Sequence, residues 1–329
     1  MAVLHVDLAA AAENLRGYSQ SCPVIPVLKD NAYGLGAAEV MRKLRREGYT
    51  LFACSRPEEA LTLSDQEGDL LLLCCVHDPD LSLRLAQAGV IQSVESLEQA
   101  NMLDRLGLPV RIHLAVDTGF GRFGFSPQET DHIRQVFSLK NLSVEGIFSH
   151  FRSTASAPEQ LAVFRSVLDK LEGCPLGIRH IAATLNARNP DCQLDAVRIG
   201  TGYTGVLSGQ KRAAVLTATV VTMRSLPKGS RVGYTGAKLK RDTTVAIVDV
   251  GTGDGAFVYR SCGPRTWLAM RRLSVELGEY RPRVLGLPGL THTAIDVTGI
   301  PCKIGDRVVI SQTPVLISPS VPREYTGEE

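Results

Sequence analysis

The sequence predicts an α/β chain: an N-terminal (β/α)8 barrel of the TIM type followed by a C-terminal all-β domain. Three observations carry this. Eight short apolar, β-rich runs recur between residues 24 and 200, amphipathic segments separate them, and after about residue 210 the strands continue without helices. The expected division is residues 1–210 for the barrel and 211–329 for the β domain.

The eight runs are, in order, VIPVLK (24–29), LFACS (51–55), LLLLCCV (70–76), IQSVES (91–96), RIHLAVD (111–117), SVEGIFSH (143–150), RHIAAT (179–184) and AVRIG (196–200). Eight parallel strands are the number that closes a barrel rather than leaving an open sheet. Segments such as AAEVMRKLRREG (37–48), RPEEALTLSDQEG (56–68) and ESLEQANMLDRLG (95–107) space apolar residues at i, i+3 and i+4, carry a charged outer face and end on glycine. They form the expected outer ring of helices; the connection after the seventh strand is short. The later strands are AAVLTATVVTMRSL (213–226), TTVAIVDVGT (243–252), TAIDVTG (293–299) and DRVVIS (306–311). The tail SPSVPREYTGEE (318–329) is polar and Pro-rich, with its last few residues expected to be loose.

Composition narrows the function classes. The 329 residues are 44% hydrophobic and 21% charged, and 36 basic residues nearly balance 34 acidic ones. A net charge of +2 spread along the chain leaves no electrostatic footprint for nucleic acid or a membrane surface, so a small molecule is the expected partner. Asp7 and Glu13 interrupt the apolar stretch that a secretory leader would need, and no later run is long enough to cross a bilayer, which points to a cytoplasmic protein. The eight cysteines show neither zinc nor disulfide spacing; the adjacent Cys74 and Cys75 sit in an apolar run as small hydrophobes.

In a barrel of this kind, chemistry collects at the carboxyl ends of the strands. There the polar candidates are Lys29, Asp117, His150, Thr184 and Arg198. A partly desolvated lysine at the mouth is suited to a Schiff base, although a solvated strand-end lysine reads the same way. The eighth strand runs into RIGTGYTG, where Gly200, Thr201 and Gly202 can present backbone N–H groups to a phosphate, with Thr184 and Tyr33 as hydroxyl donors. A lysine and a phosphate cradle at one mouth point to pyridoxal 5'-phosphate, which has an aldehyde for the first and a phosphate for the second. The glycine-rich GTGDGA (251–256) follows a strand, but its spacing is not GxGxxG and no βαβ unit surrounds it, so it reads as a turn.

The motif VLKDNAYGLG (27–36) resembles the cofactor-lysine motif of the alanine racemases. The likeness continues in order through HLAVDTGFGRFGF (113–125), GIFSHF (146–151), VRIG (197–200), RVGYTG (231–236) and GDRVVI (305–310), after an opening HVDLAAAAENLRGY (5–18) similar to that family's first segment. The resemblance implies a fold-type III pyridoxal-phosphate enzyme, an isomerase that interconverts L- and D-amino acids. It makes Lys29 the Schiff-base lysine, Tyr33 and Thr184 phosphate ligands, and Arg198 the group facing the pyridine nitrogen. As a donor-only cation, that arginine leaves the ring a weaker electron sink, which favours simple racemisation. Tyr234 becomes the second base, delivered from the partner subunit of a homodimer. Because a tyrosine with a pKa near ~10 is a poor base at neutral pH, it needs a neighbour, and the resemblance gives that role to His150 linked to Arg198. Arg122 falls near the substrate carboxylate and the cofactor oxygen. Each residue also has a plain alternative: a strand tyrosine, a satisfied strand-end histidine, a surface cation.

The chain departs from the family's pattern in particular places. Asp30 follows the lysine where alanine is usual; Ala115 stands where the family often has a carbamylated lysine; Leu290, Thr291 and His292 replace a Met-Asp-Gln loop of the substrate pocket. Thr252 and Pro319 stand where two tyrosines narrow the entrance. Losing bulk there points to a wider entrance and to a substrate larger or more polar than alanine. Two rivals are a fold-type III amino-acid decarboxylase, whose chain begins with β-domain strands and is longer, and a non-catalytic pyridoxal-phosphate-binding barrel, which lacks a second domain.

Overall fold

A computed structural model describes residues 1–20, 22–258 and 273–329. The chain forms two compact units, one of residues 9–211 with Glu329, the other of residues 1–8 and 212–328.

The larger unit is the barrel. Its strands are β2 (Val24–Pro26), β3 (Leu51–Cys54), β4 (Asp69–Cys75), β5 (Ile91–Val94), β6 (Val110–Ala115), β7 (Leu142–Phe148), β8 (Ile178–Ala183) and β9 (Ala196–Ile199), numbered after β1 (Val3–Asp7) of the other unit. All pair in parallel in the order β2-β9-β8-β7-β6-β5-β4-β3. The ring closes through the parallel bridge Val27↔Ala53, where Leu28 N donates to Ala53 O at 2.7 Å. Each of the eight runs read from the sequence overlaps one of these strands. Apolar residues that point inward, among them Ile25, Val27, Ala53, Leu71, Ile91 and Ala196, pack the barrel interior.

The helices form for the reasons their sequences give. Ala37–Arg46 buries Ala37, Val40, Met41 and Leu44 on one stripe. Pro57–Leu63 and Pro79–Gln87 begin on proline, whose missing N–H costs nothing there. Asp78 and Ser96 cap their helices by accepting from the N–H groups of Leu81 and Gln99. Between β8 and β9 the only regular piece among the described residues is the 3-10 turn Pro190–Cys192, in line with the short connection read there.

The smaller unit is a strand-rich sheet containing β1, β10 (Ala214–Leu226), β13 (Thr243–Val248), β14 (Thr293–Asp296), β15 (Arg307–Ile310) and β16 (Arg323–Thr326), ordered β14-β13-β10-β1-β16 with β15 beside β10. A two-stranded ribbon, β11 (Arg231–Val232) and β12 (Ala237–Lys238), completes it. Two features escape the sequence reading. The N-terminal strand β1 clusters with this sheet, pairing antiparallel with β10. The polar tail contains β16, which runs parallel to β1 with Val6 opposite Tyr325. GTGDGA folds as the 3-10 turn Thr252–Asp254, ending at Gly255 in the left-handed region (φ 81°), as expected of a turn. Among the described residues, no helix is long and apolar enough to cross a membrane.

Candidate active site

The strand that delivers Lys29 stops at Pro26, three residues before it. Lys29 instead opens a tight turn in which Asp30, Asn31, Ala32 and Tyr33 all have φ between 52° and 55°, ending at Gly34 with φ 89°. Left-handed backbone costs an L-residue roughly 1–2 kcal/mol each, so four in a row must be held from outside. Glu59 Oε1 accepts the N–H groups of Asp30 (2.7 Å) and Asn31 (3.4 Å). Asn31 Oδ1 accepts from Ala37 N at 2.7 Å, Ala32 N donates to Leu28 O, and the Ala32 methyl is fully buried. The turn brings Lys29 and Tyr33 onto one side, with Lys29 Nζ 5.6 Å from the Tyr33 ring centre. The Asp30 carboxylate meets Arg56 at 3.4 Å.

Both side chains open into a cavity of about 490 Å³ at the mouth of the barrel, which Thr184, Arg198, Gly200, Thr201, His150 and Arg122 also line. Seven of the barrel residues read from the sequence are therefore neighbours of Lys29 or of its cavity. Gly200 is needed as glycine: a Cβ there would lie 2.0 Å from Tyr33 Oη. Its N–H donates to Thr184 Oγ1 at 3.2 Å. Burial and the nearby Asp30 carboxylate push the Tyr33 hydroxyl above its ordinary pKa, so it stays a donor. The hydroxyls of Tyr33 and Thr184, with the backbone at Thr201, fit a phosphate, while Gly200 makes room for Tyr33 and spends its N–H on Thr184.

Below the cradle, Arg198 is 3% exposed and both terminal nitrogens of its guanidinium are hydrogen-bonded. Nη1 donates to His180 Nδ1 (2.5 Å), while Nη2 donates to Ser149 O (2.7 Å), Ile181 O (3.1 Å) and His150 Nδ1 (3.1 Å). An arginine can only donate, so each of those ring nitrogens must be an acceptor and each histidine carries its proton on Nε2. For His180 that proton meets His113 Nδ1 at 3.0 Å. Burial, then the charges of Arg198, Arg122 and Lys29, hold the His150 pKa down to about 3, so its ring is neutral at physiological pH. Burial and Arg122 lower Arg198 to about 9, which leaves it a cation there.

Arg122 is clamped between aromatic faces, its Cζ 4.4 Å from the centre of Phe120 and 4.6 Å from that of Phe123. Ala115 is buried at the end of β6. Asp117, a strand-end candidate, does not line the cavity. It accepts the N–H groups of Gly119, Phe120 and Gly121, which shape the loop carrying Arg122 and lower its own pKa. In the other unit, Tyr234 sits at the tip of the β11–β12 ribbon, 89% exposed, and Leu290 is 69% exposed in the loop beside it. A Cβ on Gly289 would come 3.6 Å from the Tyr234 ring, and the N–H groups of Thr252 and Gly253 bind the Gly289 and Leu290 carbonyls. Tyr234, Thr252 and Leu290 are thus neighbours. Pro319 lies exposed outside any strand.

Among the residues of the site that were not anticipated are Arg152, which lines the cavity, and three that hold others in place. His180 sits inside β8 and is visible only as a polar residue in an otherwise apolar run. Tyr203, fully buried, donates to Val27 O at 2.6 Å and meets the Tyr33 ring edge-on at 6.1 Å. Glu59 lies on a helix and carries no local signal at all.

Residues 6–208 match the model of the alanine racemase N-terminal domain, and residues 213–319 that of the C-terminal domain. The chain is 30% identical to an alanine racemase of Desulfosudis oleivorans, over 93% of this chain and 86% of that one. It is 34% identical to an amino-acid racemase of Enterococcus faecalis over 70% of this chain, and spans only about a third (36%) of that longer relative. Among solved structures, the alanine racemase of Streptomyces lavendulae superposes with a TM-score of 0.88 at 25% identity, covering 99% and 97% of the two chains. That of Clostridium difficile gives 0.89 at 21% over 98% and 95%. With two family models meeting end to end across the barrel and the sheet, the chain belongs to the alanine racemase family.

Proposed function

We propose that the protein is a pyridoxal-phosphate-dependent amino-acid racemase that moves protons through two bases, Lys29 and Tyr234 of the partner subunit. One observation carries the reading: a single cavity gathers a lysine, a hydroxyl and backbone cradle, and a donor-only buried arginine. When bound, pyridoxal phosphate supplies an electron sink conjugated to the substrate α-carbon. Tyr33, Thr184 and the backbone at Thr201 would hold its phosphate, with Gly200 leaving room for Tyr33, and Lys29 would hold its aldehyde carbon until the substrate amine displaces it and frees Nζ as a base.

The chain's own groups then divide the work. Lys29 Nζ removes the α-proton from one face and returns one in the opposite direction of reaction. The hydroxyl of Tyr234 of the partner subunit does the same on the other face. His150, whose Nε2 carries a proton because Arg198 occupies Nδ1, is a donor able to steady the phenolate. Arg198, a cation that can only donate, would leave a ring nitrogen beside it unprotonated, which restrains electron withdrawal to what α-proton transfer needs. Arg122 takes the substrate carboxylate. A homodimer follows, since Tyr234, Leu290 and Leu287 are exposed in one chain, an apolar patch of the kind a partner covers. Relatives named amino-acid racemase and, in Enterococcus gallinarum, serine/alanine racemase support a substrate range beyond alanine.

The test is incubation of the holoenzyme with single-enantiomer amino acids in heavy water, followed by chiral separation and mass analysis. The opposite enantiomer carrying an α-deuterium is the expected product. An amine product would instead mean decarboxylation, and an unchanged panel would leave a cofactor-binding protein.

A further inference from the structure

The charge around the cavity is one-sided. Lys29, Arg122, Arg152 and Arg198 line it, and no aspartate or glutamate does among the described residues. His150 adds no acid and, neutral at physiological pH, no charge. Two of the four cations are already committed. Lys29 is bound up in the chemistry, and Arg198 lies beneath the cavity with its N–H groups on two histidines and on backbone carbonyls. The phosphate end of the cavity is served by hydroxyls and backbone N–H groups and needs no guanidinium.

Arg122 and Arg152 remain, and both are tethered to one loop. Arg122 is clamped by Phe120 and Phe123, and Arg152 Nη1 reaches Gly119 O at 3.4 Å. The carboxylates near that loop are occupied. Asp117 accepts three backbone N–H groups of the loop itself, while Glu95 pairs with His77 at 2.8 Å and accepts from Gly124 N at 3.0 Å. No acidic side chain among the described residues forms an ion pair with Arg122 or Arg152.

Both guanidinium groups are exposed at the rim, and together they can receive two anions. An α-carboxylate neutralises one. We infer that the second receives a carboxylate on the substrate's own side chain, so that Arg122 and Arg152 select acidic amino acids of the aspartate and glutamate class. This rests on the racemase reading and names its substrate class. An alanine- or serine-sized substrate would leave Arg152 to solvent and gain nothing from it, whereas a dicarboxylic one brings two charges to two forks.

Turnover and binding test it separately on the holoenzyme. In heavy water, kcat/KM for aspartate or glutamate should exceed that for alanine by about tenfold or more, the scale of one charge-assisted hydrogen bond. Arg152→Ala should remove about that factor from the acid-to-alanine ratio, and Arg152→Glu should invert the preference. Independently of turnover, calorimetry should find glutarate binding about tenfold more tightly than butyrate, an advantage that shrinks with added salt and disappears in Arg152→Ala. If alanine or serine is racemised while acidic amino acids are not, and glutarate binds no better than butyrate, the inference fails and the racemase reading stands. If no amino acid exchanges its α-proton yet glutarate keeps an Arg152-dependent advantage, the rim site stands and the racemase reading fails.

Discussion

The barrel and the strand-rich unit treat their candidate functional side chains in opposite ways. In the barrel, Arg198 is buried and hydrogen-bonded through both terminal nitrogens, and Lys29 and Tyr33 ride on a backbone turn fixed by Glu59. In the other unit, Tyr234 and Leu290 stand in the open at the tips of a ribbon and a loop. One set is organised by its own fold. The other is offered outward, so its substitution should cost chemistry and almost no stability, whereas in the barrel the two are entangled.

The largest effect that can break this contrast is catalytic. Lys29→Ala should lower racemisation at least about 10³-fold, and Tyr234→Phe about 10²- to 10⁴-fold, the range for losing a positioned base. Only the tyrosine variant should still exchange the α-proton of one enantiomer for deuterium without inverting it. Thermal denaturation should find Tyr234→Phe within about 0.5 kcal/mol of the parent, as expected when one hydroxyl is removed from a side chain that its own chain leaves unpacked. If that variant inverts substrate at the parent rate, the second base lies elsewhere.

Next in size is Arg198→Leu. Removing the guanidinium strands the Ser149 and Ile181 carbonyls and two histidine acceptors in a buried site, so unfolding by urea should show a loss of about 3–5 kcal/mol. A loss below about 1 kcal/mol would mean that the network relaxes and is not a scaffold.

The smallest effect is graded with pH. The barrel buries three histidines, His113, His150 and His180, all with pKa values depressed by burial and by Arg198, the first two to about 3. In the unfolded chain these rings titrate near ~6.5. Between those values the unfolded state binds more protons, so stability is fully present above pH ~6.5 and is lost as pH falls toward 3, by at most about 1.4 kcal/mol per histidine per pH unit. Melting curves followed from pH 7.5 to 5 should therefore show the barrel weakening with acid, and His180→Gln should flatten the slope. An acid-insensitive barrel would mean that these rings are protonated in the native state.

What could be read in the sequence follows the same contrast. Strands and helices were legible because periodicity and capping are local: the run LLLLCCV becomes β4, and Ser96 caps the helix it precedes. The site was legible wherever chemistry sits on a motif, as with Lys29 or the glycines after β9. Residues that act by holding others were not. Glu59 is 29 positions from the amide it fixes, and Tyr203 is 176 from the carbonyl it binds. The β1–β16 pairing joins the two ends of the chain, and nothing in the four residues REYT announces a strand until β1 lies beside them.

The left-handed turn bearing Lys29 has a consequence for how activity is lost. Four residues in an unfavourable well lower the free energy of local unfolding for that segment relative to the strands around it, because opening releases strain that the strands do not carry. On warming or in mild denaturant, the lysine should therefore drift from its place while the parallel sheet is still paired, so that inactivation precedes denaturation and is reversed on cooling. The handedness of one turn thus separates the temperature at which this protein stops working from the temperature at which it comes apart.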